Sequence, residues 1–119
     1  MKKKNKSLLF LPLGGSGEIG MNCNIYNYKK SWIMVDLGVT FGDSLMSPNE
    51  LIMPKLDFFE DNDVKLDALI LTHAHEDHIG AVPYLHNFLK KVPIFTTSFT
   101  ASVLKRKLQS NNIYDLDIN

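Results

Sequence analysis

The chain has 119 residues, the size of one small domain, and at 45% hydrophobic and 22% charged it can bury a core and is not disordered. Thirteen Lys plus Arg balance thirteen Asp plus Glu, so the totals imply no broad basic surface, and any contact with nucleic acid falls to a local site or to another part of the protein. One cysteine excludes an internal disulfide, and no stretch approaches the ~20 apolar residues of a membrane span.

Residues 1–6, with Lys2, Lys3, Lys4 and Lys6, read as a basic flexible tail. The apolar run after it is too short for a secretory signal, contains Pro12 and lacks a small-x-small cleavage pattern, so the expected compartment is the cytoplasm, with no membrane partner. Leu8 to Leu13 reads as a buried strand ending at glycines. Gly15-Ser16-Gly17-Glu18-Ile19-Gly20 is a literal G-x-G-x-x-G, but the dinucleotide fingerprint needs a helix straight after its last glycine. The segment beyond Gly20 is instead rich in Asn and Tyr, and Ile25 to Tyr28, Lys29 to Ser31 and Trp32 to Val35 read as strand, turn, strand. No nicotinamide cofactor is expected. Cys23 reads as a small buried side chain, and Asp36 stands where the second hairpin strand ends.

Gly38 to Pro54 is a long Gly-, Ser- and Pro-containing loop, a kind that is usually functional in a compact domain. A short helix is expected over Leu56 to Asp63 and a strand over Leu66 to Leu71. Gly80 to Lys91 should be a helix with Pro83 in its first turn and His86 a surface or packing residue. Val92 to Phe95 reads as a strand. Thr97 or Ser98 then caps a helix that turns Ala101, Leu104 and Leu108 inward and Lys105, Arg106 and Lys107 largely to solvent. The chain then stops without a clear closing element.

Between the strand at Leu66 to Leu71 and the next helix lies Thr72-His73-Ala74-His75-Glu76-Asp77-His78, which holds three of the four histidines. Imidazole nitrogen and carboxylate oxygen are ligands that zinc accepts. Leaving a strand, His73 and His75 fall on one side and can share an ion. Asp77 and His78 are adjacent on the turn and can hold a second ion nearby, while Glu76 faces outward. Two neighbouring metals suit hydrolysis, because they activate water and clamp the attacking and leaving oxygens of a phosphoryl or acyl centre. The bland alternative, a solvated turn with idle histidines, does not account for His-x-His-x-Asp-His at this place.

His73, His75, Asp77 and His78 match the signature of the metallo-β-lactamase superfamily, and Leu13 to Gly20 with Val35 to Gly42 resembles its ribonuclease J branch. The similarity continues through Ile52-Met53-Pro54, Ile79 to Leu85 and Leu104 to Leu108, and so covers nearly the whole chain. The sequence departs from the branch around Pro48, Glu50 and Lys55.

The resemblance implies an α/β fold, half of an αββα sandwich made of an N-terminal β-hairpin and then two β-loop-α units. Residues 7–119 would be the N-terminal part of that domain, incomplete at its C-terminus. It implies two zinc ions, His73 and His75 holding one and Asp77 and His78 the other, with Asp36 supporting the ligands from behind and Asp77 catalytic alongside metal-activated water. Gly15, Ser16, Gly17 and Glu18 would lie near the substrate. It further implies RNA as partner, hydrolysed as a 5′ exonuclease and endonuclease, and a complementary chain or C-terminal portion that supplies the remaining ligands. The alternatives are a non-catalytic remnant or split fragment, and a metallo-hydrolase of thioesters, lactones or lactams.

Overall fold

The structure, a computed structural model, describes residues 7–15, 17, 20–41 and 51–119. The expected basic tail at residues 1–6, Ser16 and Glu18 of the glycine-rich turn, and residues 42–50 of the long loop lie outside the described residues.

Strands β1 (Leu8–Gly14), β2 (Cys23–Tyr28) and β3 (Ser31–Val35) run antiparallel to one another in that order. The β2–β3 hairpin forms where the alternation expects it. Cys23, Ile25 and Asn27 point inward while Tyr26 and Tyr28 are exposed. Lys29 closes the turn in the left-handed region at φ 55°, and the buried Asn27 amide donates to the carbonyls of Lys29 (3.1 Å) and Ser31 (3.0 Å). A buried amide thus finds both its acceptors in the turn it encloses.

A small antiparallel pair comes next, β4 (Thr40–Phe41) with β5 (Leu51–Ile52), then helix α1 (Asp57–Asp61). Strand β6 (Ala68–Ile70) joins β3 in parallel, and after the short helices α2 (Glu76–Ile79) and α3 (His86–Leu89), strand β7 (Ile94–Phe95) joins β6 in parallel. Helix α4 (Ser98–Ser110) comes last, capped by the Thr97 hydroxyl, which accepts from the Thr100 amide. The sheet order is β1-β2-β3-β6-β7. Hairpin first and parallel β-loop-α units afterwards is the expected plan.

Because paired residues share a face, the register sorts the sheet into rows. Ile25, Met34, Leu69 and Ile94 lie in one row, and all four are fully buried. Trp32, Phe58, Phe59 and Phe88 pack beside this core at tilted and edge-to-face angles, with ring centroids 5.2 to 6.4 Å apart. The opposite face carries Phe10, Tyr26, Ile33 and Ala68 in one row and Ile70 beside Phe95 in the next. Phe10, Tyr26, Ile70 and Phe95 are all exposed there.

Several local expectations are corrected. The first strand is not buried: Leu8, Leu9 and Phe10 are exposed, because β1 is an edge with a single neighbour and its outer face is uncovered. The strand expected over Leu66 to Leu71 is regular only from Ala68 to Ile70. The helix expected over Gly80 to Lys91 is broken into turns leading to α3. The helix before it begins earlier, at Glu76, so Pro83 falls beyond a first turn, where its missing N–H cannot continue the ladder. His86 is half-buried and its Nδ1 lies 2.8 Å from the Pro83 carbonyl, a packing role as expected. Residues 117–119 run alongside β7: Ile94 N–H donates to Asp117 O and Asn119 N–H to Ile94 O. Among the described residues, no helix is long and apolar enough to cross a membrane.

Candidate metal centre

Parallel pairing of β3 with β6 brings the carboxyl ends of both strands together, which is where ligands bind in open α/β sheets. Past the last pair, Asp36 N–H still donates to Ile70 O at 2.8 Å. Asp36 then turns into the left-handed region at φ 66°, a conformation that Asp tolerates better than most residues. Its carboxylate, only 7% exposed, is thereby aimed at the loop after β6.

There it accepts the Thr72 backbone N–H at 2.8 Å and the Thr72 hydroxyl at 2.8 to 3.0 Å. It also lies 2.7 Å from Nδ1 of His78. A carboxylate accepts, so Nδ1 carries the hydrogen and Nε2 of His78 is left with a free lone pair. That lone pair faces Asp77 Oδ2 at 3.5 Å.

The loop itself is held by backbone. Leu37 N–H donates to His78 O (2.8 Å), Val39 N–H to Glu76 O (3.0 Å) and Asn22 N–H to Asp77 O (2.8 Å), while Ala81 N–H donates back to Leu37 O (3.1 Å). Gly38 lies so close that a Cβ there would overlap the Asp77 carbonyl and stand 2.7 Å from His78 N. Glu76 points away from the imidazoles and pairs with Lys107 of α4. Lys107 is therefore not simply solvated, which only the tertiary structure reveals.

Among the described residues, His73, Asp77 and His78 bring one ligand atom each to within 4.8 Å of one another. Bonds of about 2.0 to 2.2 Å at tetrahedral angles place ligand atoms roughly 3.3 to 3.6 Å apart, so closing on a cation takes a contraction of about an ångström. Asp77, 43% exposed, has the freedom to supply it. Two imidazoles and a carboxylate fit zinc in chemistry and in spread. The grouping differs from the expected pairing of His73 with His75, because α2 starts at Glu76 and its first turn swings Asp77 and His78 back toward His73. The His73 and His78 rings lie 3.7 Å apart between centroids, and His75, exposed, keeps its ring 4.9 Å from that of His73.

The glycine-rich turn approaches this loop through Asn22, which sequence reasoning left without a role. Gly15, Gly17 and Gly20 have φ of 90°, 77° and 151°, so backbone conformation accounts for glycine at each. Behind the site sits Cys23, fully buried as expected. Burial first, and the Asp36 charge second, push its thiol up from an ordinary 9.0 to about 12. Native protein at pH 8 should therefore resist iodoacetamide, and unfolded protein should alkylate readily. Between the unfolded value of 9.0 and the folded value of about 12, the unfolded chain gives up a proton that the folded chain keeps, so stability should fall across that window. Denaturation midpoints from pH 8 to 11 should decline less in Cys23→Ala than in the wild type.

Known proteins share both the sequence and the fold. The family model described as the metallo-beta-lactamase superfamily matches residues 17–96. Ribonuclease J of Sinorhizobium meliloti is 44% identical over 108 residues, which are 87% of this chain and 19% of the relative. Ribonuclease J of Corynebacterium glutamicum is 36% identical over 110 residues, 92% of this chain and 15% of the relative. The chain thus spans a fifth or less of the length of these curated relatives. In structure it is similar to human tRNase Z, short form, with a TM-score of 0.53 at 17% identity, over 94% of this chain and 42% of that one. DIM-1 metallo-beta-lactamase gives 0.51 at 15% identity, over 98% and 49%. These likenesses bear out the α/β fold read from the sequence.

Proposed function

Because this chain belongs to the metallo-beta-lactamase superfamily, we propose that it is part of a ribonuclease J-like, zinc-dependent hydrolase of RNA phosphodiesters, acting as a 5′ exonuclease and endonuclease. The observation that carries the reading is the convergence of His73, Asp77 and His78 at the carboxyl ends of β3 and β6, in a chain similar to proteins named ribonuclease J. Bound zinc supplies Lewis acidity and activates water at neutral pH. His73, Asp77 and His78 would hold it, with His75 at hand for a neighbouring ion. Asp36 keeps His78 in the tautomer that offers Nε2, and such outer partners set ligand orientation and basicity.

A catalytic zinc usually has three protein ligands plus water, so two ions need more than the four candidates on this chain. The same reading accounts for the apolar sheet face at Phe10, Tyr26, Ile70 and Phe95: a complementary portion, on the same or another chain, covers it and brings the remaining ligands.

The test is zinc stoichiometry and turnover of 5′-monophosphorylated RNA, measured before and after chelation and zinc restoration, beside a generic thioester. With the complementary portion present, RNA should be hydrolysed, chelation should abolish turnover, and zinc should restore it. Preference for the thioester, or RNA hydrolysis indifferent to chelation, would overturn the proposal.

A further inference from the structure

We infer that Asn22 is a positioning residue of the metal centre, its carboxamide holding Asp77 and His78 in ligating orientation, and that the glycine-rich turn serves to hold Asn22. The inference rests on the zinc reading above for its consequence, though not for its geometry.

Asn22 is joined to the metal loop and to the segment that follows β3. Its backbone N–H donates to Asp77 O at 2.8 Å, and its carbonyl accepts Gly38 N–H at 3.0 Å. Its side-chain Nδ2 lies 3.1 Å from Gly20 O, 3.2 Å from Asp77 O, 3.2 Å from His78 Nε2 and 3.4 Å from Asp77 Oδ2. The last two are the atoms that would ligate the cation. An NH2 group has two hydrogens, so these four acceptors share them.

That sharing gives the amide two states of equal satisfaction. Without a cation, its hydrogens lean toward the lone pairs of His78 Nε2 and Asp77 Oδ2 and keep both pointed at a common spot. With a cation on those lone pairs, the hydrogens fall back on the carbonyls of Gly20 and Asp77, and no donor is stranded. Asp36 fixes the far nitrogen of His78, and Asn22 fixes the near one and the Asp77 carboxylate.

The turn explains its glycines in the same terms. A Cβ on Gly15 would stand 3.0 Å from Asn22 Cγ and 3.1 Å from its Cα, so a side chain there displaces the amide. Gly20 provides one of the two fallback carbonyls. At Gly17 an added Cβ meets nothing within 4 Å, so that residue answers only to its φ of 77°. Gly15 and Gly17, alike in sequence, therefore differ in consequence.

The experiment uses the intact native protein with Asn22→Ala, Asn22→Leu, Gly15→Ala and Gly17→Ala. Asn22→Leu keeps the branched shape without the donor. Zinc affinity, by competition with a chromophoric chelator, should weaken about 10- to 100-fold in both Asn22 variants and in Gly15→Ala, and by less than about threefold in Gly17→Ala. In metal-free protein, the His78 Nε2 nitrogen resonance should move in the Asn22 variants, and the wild-type Asn22 NH2 proton resonances should shift when zinc is added. Affinity within about twofold of wild type in a folded Asn22 variant, or Asn22 protons indifferent to zinc that the wild type does bind, would overturn the inference. A wild type that binds no zinc while His78 still responds to the Asn22 changes would sink the zinc reading and leave the positioning role standing.

Discussion

Asp77→Asn is expected to cut the proposed RNA hydrolysis by at least ~100-fold, with the fold retained. The amide has the same shape but lacks the charge that stabilises a cation, and one of its two positions presents a donor where a ligand must accept. Asp77 Oδ2 already sits 3.5 Å from Nε2 of His78, so this oxygen cannot be lost without leaving the imidazoles a ligand short. The fold survives because the Asp77 carbonyl, not its carboxylate, carries the bond from the Asn22 backbone. Turnover should be measured at matched zinc occupancy, beside a far-ultraviolet spectrum. Near-normal turnover would remove Asp77 from the ligand set.

The second large effect is expected at Gly38, and there the damage is to folding as well as to activity. In Gly38→Val the new side chain overlaps the Asp77 carbonyl, and φ at this glycine is not in the left-handed region, so close approach is the whole cost. Relief requires parting the strand end from the metal loop. That breaks the bonds of Leu37 N–H to His78 O and Val39 N–H to Glu76 O. At roughly 0.5 to 1.5 kcal/mol per hydrogen bond, plus lost packing, the change amounts to about 2 to 5 kcal/mol. The melting temperature should fall by roughly 10 °C or more, and zinc binding should weaken with it. A variant that melts with the wild type would show that the loop can stand off from residues 37–39. Gly17→Ala, with open space around it but φ at 77°, should cost only its backbone strain, about 1 to 2 kcal/mol.

How much of the fold and the site is legible in the sequence depends on how local each feature is. The β2–β3 hairpin is encoded by alternation and a polar turn within a dozen residues, and it forms where expected. The metal-type residues are legible because they crowd into one loop. Which of their ligand atoms lie nearest one another is not, since that depends on α2 beginning at Glu76, four residues before the expected helix. Asn22 could not be singled out because its contacts with Asp77 and His78 reach more than fifty residues along the chain, although its place directly behind a glycine-rich turn was a usable hint. Lys107 looked like one of three solvated cations, and nothing near it in the chain marks Glu76 as its partner. The exposure of Leu8 and Phe10 was hidden for another reason: an apolar strand looks the same in sequence whether its cover is part of the structure or not.

The backbone anchoring of residues 76–78 has a consequence for descent. A peptide hydrogen bond does not register which side chain its residue bears. The path of this loop is specified by the amides of Asn22, Leu37 and Val39 and by the space that Gly38 and Gly80 leave open, not by the groups at positions 77 and 78. Geometry and ligand chemistry are thus written at different positions and can drift separately. A lineage can exchange the group at position 77 while the loop stays in place, whereas a carboxylate at position 78 would face Asp36 and require that residue to change with it.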